Sequence, residues 1–379
     1  MVELNRKGIS SVVVERAESL RAEGIGLATN TNGWRALDEL GVGNKLRPKA
    51  IPLTAVREVF MDRGVTRESP AGKDELRCLL RSDIVQELHD ELPPGTVHFS
   101  CRIVGIKTDP ATSNHTLHFN DGSVATAKVL IGCDGINSIV AEALGIKAVK
   151  KYHVCATRGL TFYPDGHGFD PEFLRTKKGK VLSGRLPVND KLVYWFVARP
   201  RLVSDDGIWG KPELIKQATL EALKEFPPQI YEMVKSSDMD SFIFTNIRYR
   251  EPLDILQENF CRGTMTVAGD AMHPMGPFLG QGAAAALEDA VVLARCLAKV
   301  KETPSIINER KWQVADRVGM ALDDYVKERK MRLLRLAIQT YLTGKLVDAT
   351  LFMGVLLAIF IKIVFGGSFG HTKYDCGRL

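Results

Sequence analysis

Three short apolar runs that each end in an acidic residue, a turn-rich alternating stretch in mid-chain and a long helical pattern near the end together predict an α/β (α+β) fold. The expected architecture is a Rossmann-like parallel part, an antiparallel-sheet domain inserted in it and a helical C-terminal region. The chain has 379 residues, 45% apolar and 25% charged, an ordinary globular composition with enough material for a large core. This excludes a small disulfide scaffold, a collagen-like chain and a wholly disordered one. The net charge of +6 is spread along the chain rather than gathered in a basic stripe, so no nucleic-acid partner is expected. Seven cysteines, odd in number and without a C-x-x-C pair, signal neither a disulfide framework nor a zinc site. No metal is expected, and the residues imply an intracellular, reducing compartment such as cytoplasm or plastid. No charged n-region leading into an apolar h-region opens the chain, so no secretory signal is read in it.

The elements follow in order. Residues 9–14 (ISSVVV) form a β-branched run that predicts a buried strand with Glu15-Arg16 at its end. Residues 32–40 read as a helix with Trp34, Leu37 and Leu40 three apart, closed by Gly41, and 56–67 as two short strands around Asp62-Arg63-Gly64. Residues 79–92 place Leu80, Ile84, Val85 and Leu88 on one helical face, stopped by Pro93-Pro94. Strands are expected at 97–108 and 116–119; His115 and His118, three apart, point to opposite faces and read as surface residues. Residues 129–133 (VLIGC) are continuously apolar, the pattern of a strand covered on both faces in a parallel sheet, and end in Asp134-Gly135. From 154 to 200, pieces such as LVYWFVA alternate with Gly, Pro and Asn-Asp turns, the mark of an antiparallel sheet. A helix at 212–226 ends in Pro227-Pro228. Residues 264–268 form another buried strand, followed by a Pro/Gly loop and a helix at 283–298 with Leu287, Val291, Ala294 and Ala298 in one stripe.

Residues 308–365 are helical in pattern, first charged and then apolar. The longest uncharged apolar run, 349–361, is 13 residues, short of the about 20 a bilayer span needs. Lys327, Arg329, Lys330, Arg332 and Arg335 precede apolar 351–365. That order suits either peripheral membrane contact through 327–365 or a helix buried against the body.

The segment 264–282, TMTVAGDAMHPMGPFLGQG, carries the most chemistry. A buried strand delivers Asp270 to the crevice at its carboxyl end, where open α/β sheets bind ligands. Pro274 and Pro277 stiffen the loop, Gly276, Gly280 and Gly282 allow close backbone approach to a flat ligand, and the following helix N-terminus favours negative charge. His273 beside this loop reads either as a group polarising the ligand or substrate or as a structural histidine. Tyr194, Trp195 and Phe196 share one strand; alternation sets Tyr194 and Phe196 on one face, as pocket wall or as core. Arg185 suits a carboxylated substrate or the surface.

Gly269-Asp270 with the P-x-x-P-x-x-G-Q-G loop resembles the second FAD-contact motif of the flavoprotein aromatic hydroxylases, the para-hydroxybenzoate hydroxylase fold. Cys133-Asp134-Gly135-Ile136-Asn137-Ser138 resembles the family's D-G-x-x-S motif, Val13-Val14-Glu15-Arg16 its ribose-binding strand end, and Arg81 its FAD-contacting arginine. NGWRALDELGVGNKL and the closing YDCG resemble the plant branch of FAD-dependent monooxygenases. The resemblance implies an FAD enzyme that uses NAD(P)H and O₂ to insert one oxygen atom into a small aromatic or electron-rich substrate. It places Glu15, Arg16, Arg81, Asp134, Gly135, Gly269, Asp270, Pro277, Gly280, Gln281, Gly282 and Ala283 at the cofactor. Two departures stand out. Ala141 occupies the position of the arginine that usually follows the D-G-x-x-S motif, and counting back roughly 20 residues from Glu15 to a G-x-G-x-x-G turn runs off the N-terminus. The alternative for Glu15-Arg16 is a solvated pair after an edge strand, and the expectation is an N-terminally truncated FAD domain. The implied domains are FAD-binding at 1–55, 76–150 and 256–300, substrate-binding at 56–75 and 151–255, and C-terminal helical at 301–379. Rival functions are an inactive truncated paralogue and a flavin epoxidase acting on a lipid-like substrate.

Overall fold

The computed structural model describes residues 1–20, 25–71, 74–302, 311–348, 361, 363–364 and 370–379. Two of the three apolar runs pair with each other: Leu130–Gly132 lies parallel to Met265–Val267, which turns back antiparallel onto Cys261–Arg262. The first run is a strand only at Val13–Val14, parallel to Val97–His98, because its partner is itself two residues long. Helix Gly282–Glu302 packs between helices Thr31–Glu39 and Lys311–Asp348. Trp34, Leu37, Val267, Val291, Val292, Leu322 and Tyr325 are buried in the core they share. Trp34 donates its indole N–H to the Thr29 carbonyl at 3.2 Å and carries the Arg47 guanidinium 5.1 Å above its ring.

The mid-chain stretch builds a seven-stranded sheet in the order Ile243–Tyr249, Lys150–Phe162, Leu192–Pro200, Val181–Asn189, Glu172–Lys178, Ala55–Phe60 and Val65–Pro70. All neighbours are antiparallel except Glu172–Lys178 with Ala55–Phe60. One face is covered by helices Pro212–Ala222 and Pro228–Lys235, which bury Val193, Trp195, Val197 and Phe244. The other face turns toward a three-stranded antiparallel sheet of Gly26–Thr29, Arg77–Leu80 and Ile51–Pro52, where Tyr194 packs with Leu53, Leu76 and Cys78 and with Leu186 of its own sheet. Contact there is close enough to require a glycine: a Cβ on Gly26 would lie 2.6 Å from Tyr194 Cβ.

One expectation is corrected. His115 is not a surface residue: it is buried, with Nδ1 3.0 Å from the Thr108 hydroxyl and Nε2 2.9 Å from that of Thr264, because its strand is covered at that end. The basic cluster divides: Arg329 and Arg332 turn inward to buried carboxylates, while Lys327 and Arg335 are exposed. Most of 351–365, the apolar half of the membrane reading, lies outside the described residues. Among the described residues no helix is long and apolar enough to cross a membrane.

Candidate functional site

The loop after Met265–Val267 is shaped by its own backbone. Gly269 accepts from the N–H groups of Met272 and His273, each at 2.9 Å, and a short turn at Pro277–Leu279 closes on Gly280. Gly280 has φ +64°, the left-handed region where a side chain is strained. The chain then enters helix Gly282–Glu302, whose first N–H groups lack intrahelical partners and face the loop.

Beneath the loop lies a buried charged network. Asp289 Oδ2 accepts from the Gly269 N–H at 2.8 Å and from His273 Nε2 at 2.5 Å, while Oδ1 accepts from Arg329 Nε at 2.7 Å. A carboxylate only accepts, so Nε2 of His273 carries a proton. Glu288 takes Arg329 Nη2 at 2.7 Å, Arg332 Nη2 at 3.0 Å and Asn32 Nδ2 at 2.7 Å, and Asn32 also donates to Gln281 Oε1 at 2.9 Å. Burial pushes the Asp289 carboxyl up, but His273 and Arg329 outweigh it and hold it at about 2. Burial alone would lower the Arg329 pKa; Asp289 and Glu288 raise it instead. Tyr374, near the chain's end, lies 5.5 Å from the Arg329 guanidinium and 4.4 Å from that of Arg332, closing the network from outside.

The residues expected at the cofactor divide by position. Asp270, Pro277, Gly280 and Ala283 are exposed along the crevice, Gly269, Gly282 and Gly135 half-buried, and Gln281 buried. Asp134 spends its carboxylate locally: Oδ1 accepts from Ser138 Oγ at 2.5 Å and Oδ2 from the Ile139 N–H at 2.8 Å, while Ser138 caps the next helix by accepting from Ala141 N–H at 2.9 Å. Glu15 stands at the end of its strand and accepts from the Ala17 N–H at 2.8 Å, with exposed Arg16 beside it. Arg81 opens helix Arg81–Asp90 with no carboxylate partner among the described residues. His273 is fully buried in the network rather than presented to the crevice.

On the sheet, Tyr194 is buried and Phe196 half-buried on the crevice-facing side, with Phe196 edge-on to Phe173 at 6.2 Å. Arg185 lies opposite Trp195 in register, on the other face. There it is buried 3.6 Å from Glu172, its guanidinium 3.8 Å over the Phe169 ring. It is therefore turned away from the crevice. Sequence reasoning missed Asn32, Glu288, Asp289, Arg329 and Arg332; the available signal was an adjacent acidic pair inside an otherwise apolar helix.

The crevice suits a flat ligand with polar edges. Cβ atoms added at Gly135, Gly280 and Gly282 would meet open space, and two buried amide atoms under the loop, Gln281 Nε2 and Asn32 Oδ1, have no partner among the described residues. These features fit the ring and ribityl portions of FAD. A parallel strand pair feeding a Gly/Pro loop and a helix N-terminus, beside an inserted sheet, makes a site suited to a flavin. Residues 2–305 match the family described as FAD binding domain, and the chain belongs to that family of FAD-dependent monooxygenases. It is 46% identical to Monooxygenase 1 of Arabidopsis thaliana over 386 residues, covering 100% of this chain and 95% of the relative. To Monooxygenase 2 of the same plant it is 35% identical, covering 90% and 85%. The structure of Klebsiella pneumoniae HpxO complexed with FAD and uric acid shares its fold at a TM-score of 0.78 and 20% identity, covering 94% of this chain and 87% of that one.

Proposed function

We propose that this chain is an NAD(P)H-dependent hydroxylase that places one oxygen atom of O₂ on a small aromatic or otherwise electron-rich compound. The observation that carries the reading is the strand-end loop from Gly269 to Gly282, whose Phe278 packs edge-on against Tyr152 of the inserted sheet at 5.3 Å. FAD supplies the hydride acceptance and oxygen activation. The protein's part is binding, orientation and exclusion of water. Backbone groups of Gly280 to Ala283 and the helix N-terminus would hold the flavin's polar edge and favour negative charge there. Asp270 would take a ribityl hydroxyl and Arg81 a phosphate. The Asp289 network fixes the loop from below through the Gly269 N–H, and the aromatic sheet face stacks the substrate and keeps the reacting volume dry. Relatives of lower identity act on compounds of this kind by name, among them 3-amino-4-hydroxybenzoate 2-monooxygenase of Streptomyces cremeus at 26% identity, which supports the substrate class.

The test begins with the chain as given. FAD is titrated into purified protein and followed by visible absorbance and flavin fluorescence, then NADH or NADPH is added anaerobically, and finally ¹⁸O₂ with a panel of phenols. The reading requires stoichiometric FAD, bleaching by a nicotinamide cofactor and one ¹⁸O atom in the product. Bound FAD without label transfer to any phenol would refute it.

A further inference from the structure

The loop that follows Met265–Val267 is gripped from two sides. On the helix side Asp289 accepts from the Gly269 N–H. On the sheet side the partner is Arg250, the residue that follows strand Ile243–Tyr249. Its Nε–H donates to the Met272 carbonyl at 2.8 Å, Nη2 to the Ala271 carbonyl at 3.4 Å and Nη1 to the Lys147 carbonyl at 2.7 Å, while its backbone N–H donates to the Pro274 carbonyl at 2.8 Å. Arg250 is 4% exposed, and no carboxylate among the described residues forms an ion pair with it. Asp254 and Glu258, whose charges reach it, are spent on Lys147 Nζ at 3.0 and 3.4 Å. Burial outweighs their pull and lowers the Arg250 pKa.

A buried cation is rare without a counter-ion, and here each of its side-chain hydrogen bonds ends on a backbone carbonyl, two of them in the loop. The dependence runs both ways, because the carbonyls of buried Ala271 and Met272 would lose this donor if the side chain were removed. A guanidinium is a planar fork, so meeting residues 271 and 272 together fixes two successive peptide planes. Asp270 lies between those planes and the Gly269 N–H that Asp289 holds. A second contact ties the same sheet edge to the loop: Phe278 is edge-on to Tyr152 at 5.3 Å, and Tyr152 packs against Tyr249 at 4.2 Å. We propose that Arg250 is the positioning residue of the flavin loop, fastening it to the edge of the inserted sheet so that loop and sheet edge open as one unit and the crevice keeps its FAD-binding shape. The proposal rests on the family's FAD binding and is independent of whether a phenol is oxidised.

Native-state hydrogen exchange by mass spectrometry in increasing urea tests this on the wild-type protein, with and without added FAD. Peptides covering the loop (269–282) and the strand end (243–250) should open with one shared urea dependence, distinct from that of helix Pro212–Ala222 on the far face of the sheet. Arg250→Lys keeps the charge but loses the planar fork. It should speed loop exchange roughly tenfold, the worth of one hydrogen bond to a charged group, and weaken FAD by a similar factor in a fluorescence titration. Arg199→Lys is the control, because Arg199 is equally buried but pairs with Asp205 on the helix-covered face of the sheet. It should lower the urea midpoint while loop exchange and FAD affinity stay as in the wild type. Separate urea dependences for loop and strand end in the wild type would overturn the proposal. So would wild-type loop exchange or FAD affinity in a folded Arg250→Lys protein, or equal loosening of the loop by Arg199→Lys. Failure to retain FAD would count against the function proposed above alone, since loop exchange in the unloaded protein still decides whether Arg250 holds the loop.

Discussion

Replacing Asp289 by asparagine should be among the most damaging single-atom changes available in this protein. Its carboxylate receives three donors, the Gly269 N–H, His273 Nε2 and Arg329 Nε, at 2.8, 2.5 and 2.7 Å, and the residue is fully buried. An amide of the same shape has one accepting atom, so its NH₂ must face either the Gly269 and His273 donors or Arg329. Glu288 still holds Arg329 Nη2 at 2.7 Å, which limits the loss but does not restore the second anion. Breaking a buried ion pair by removing one partner costs about 3–5 kcal/mol. Linkage provides an independent lower figure: a carboxyl held at about 2 against an ordinary 3.8 contributes about 2 kcal/mol at neutral pH. Because the folded value is depressed, that stability is present above about pH 4 and disappears as pH falls toward 2. Urea unfolding followed by tryptophan fluorescence should show a lower midpoint at unchanged slope. A cycle with Arg329→Met should return a coupling energy above about 1 kcal/mol. FAD affinity should fall too, since the Gly269 N–H loses its anchor. A loss below about 1 kcal/mol with no coupling to Arg329 would mean that the network is not what holds the loop.

Three further outcomes follow from the same structure. His371 is buried against Arg332, and burial first and that charge second depress it to about 4 from 6.5. The unfolded chain therefore binds more protons than the folded one between those values, so stability should fall as pH drops from 6.5 to 4, by up to about 3 kcal/mol. His371→Asn should flatten that part of a thermal-midpoint profile, and an unchanged slope would contradict the assignment. Gly26→Ala forces a Cβ to 2.6 Å from the root of the Tyr194 side chain, which no rotamer change relieves; about 1–3 kcal/mol should be lost in urea titrations. At Gly280 the added Cβ meets open space, so Gly280→Ala should cost only the left-handed backbone, about 1–2 kcal/mol. A larger stability loss there would expose a contact missing from this account.

The sequence alone determined the local grammar of this protein. Strands at Leu130–Gly132 and Met265–Val267, each handing over to an acidic residue, are legible because a continuous apolar run and the turn after it are encoded by neighbours in the chain. The alternation that sets Tyr194 and Phe196 apart from Trp195 is equally local, and the register confirms it. Strand length was not: residues 9–12 carry the pattern of a strand, but pairing stops where Val97–His98 stops. What only the tertiary structure decided is where charge goes. Nothing in SGRLP says that Arg185 turns to Glu172. Nothing in the run of basic residues from Lys327 to Arg335 says that Arg329 and Arg332 meet an acidic pair some forty residues earlier in the chain. Periodicity reports which face a residue occupies, but the cost of burying a charge depends on the partner opposite, and partners distant in sequence are brought together only by packing.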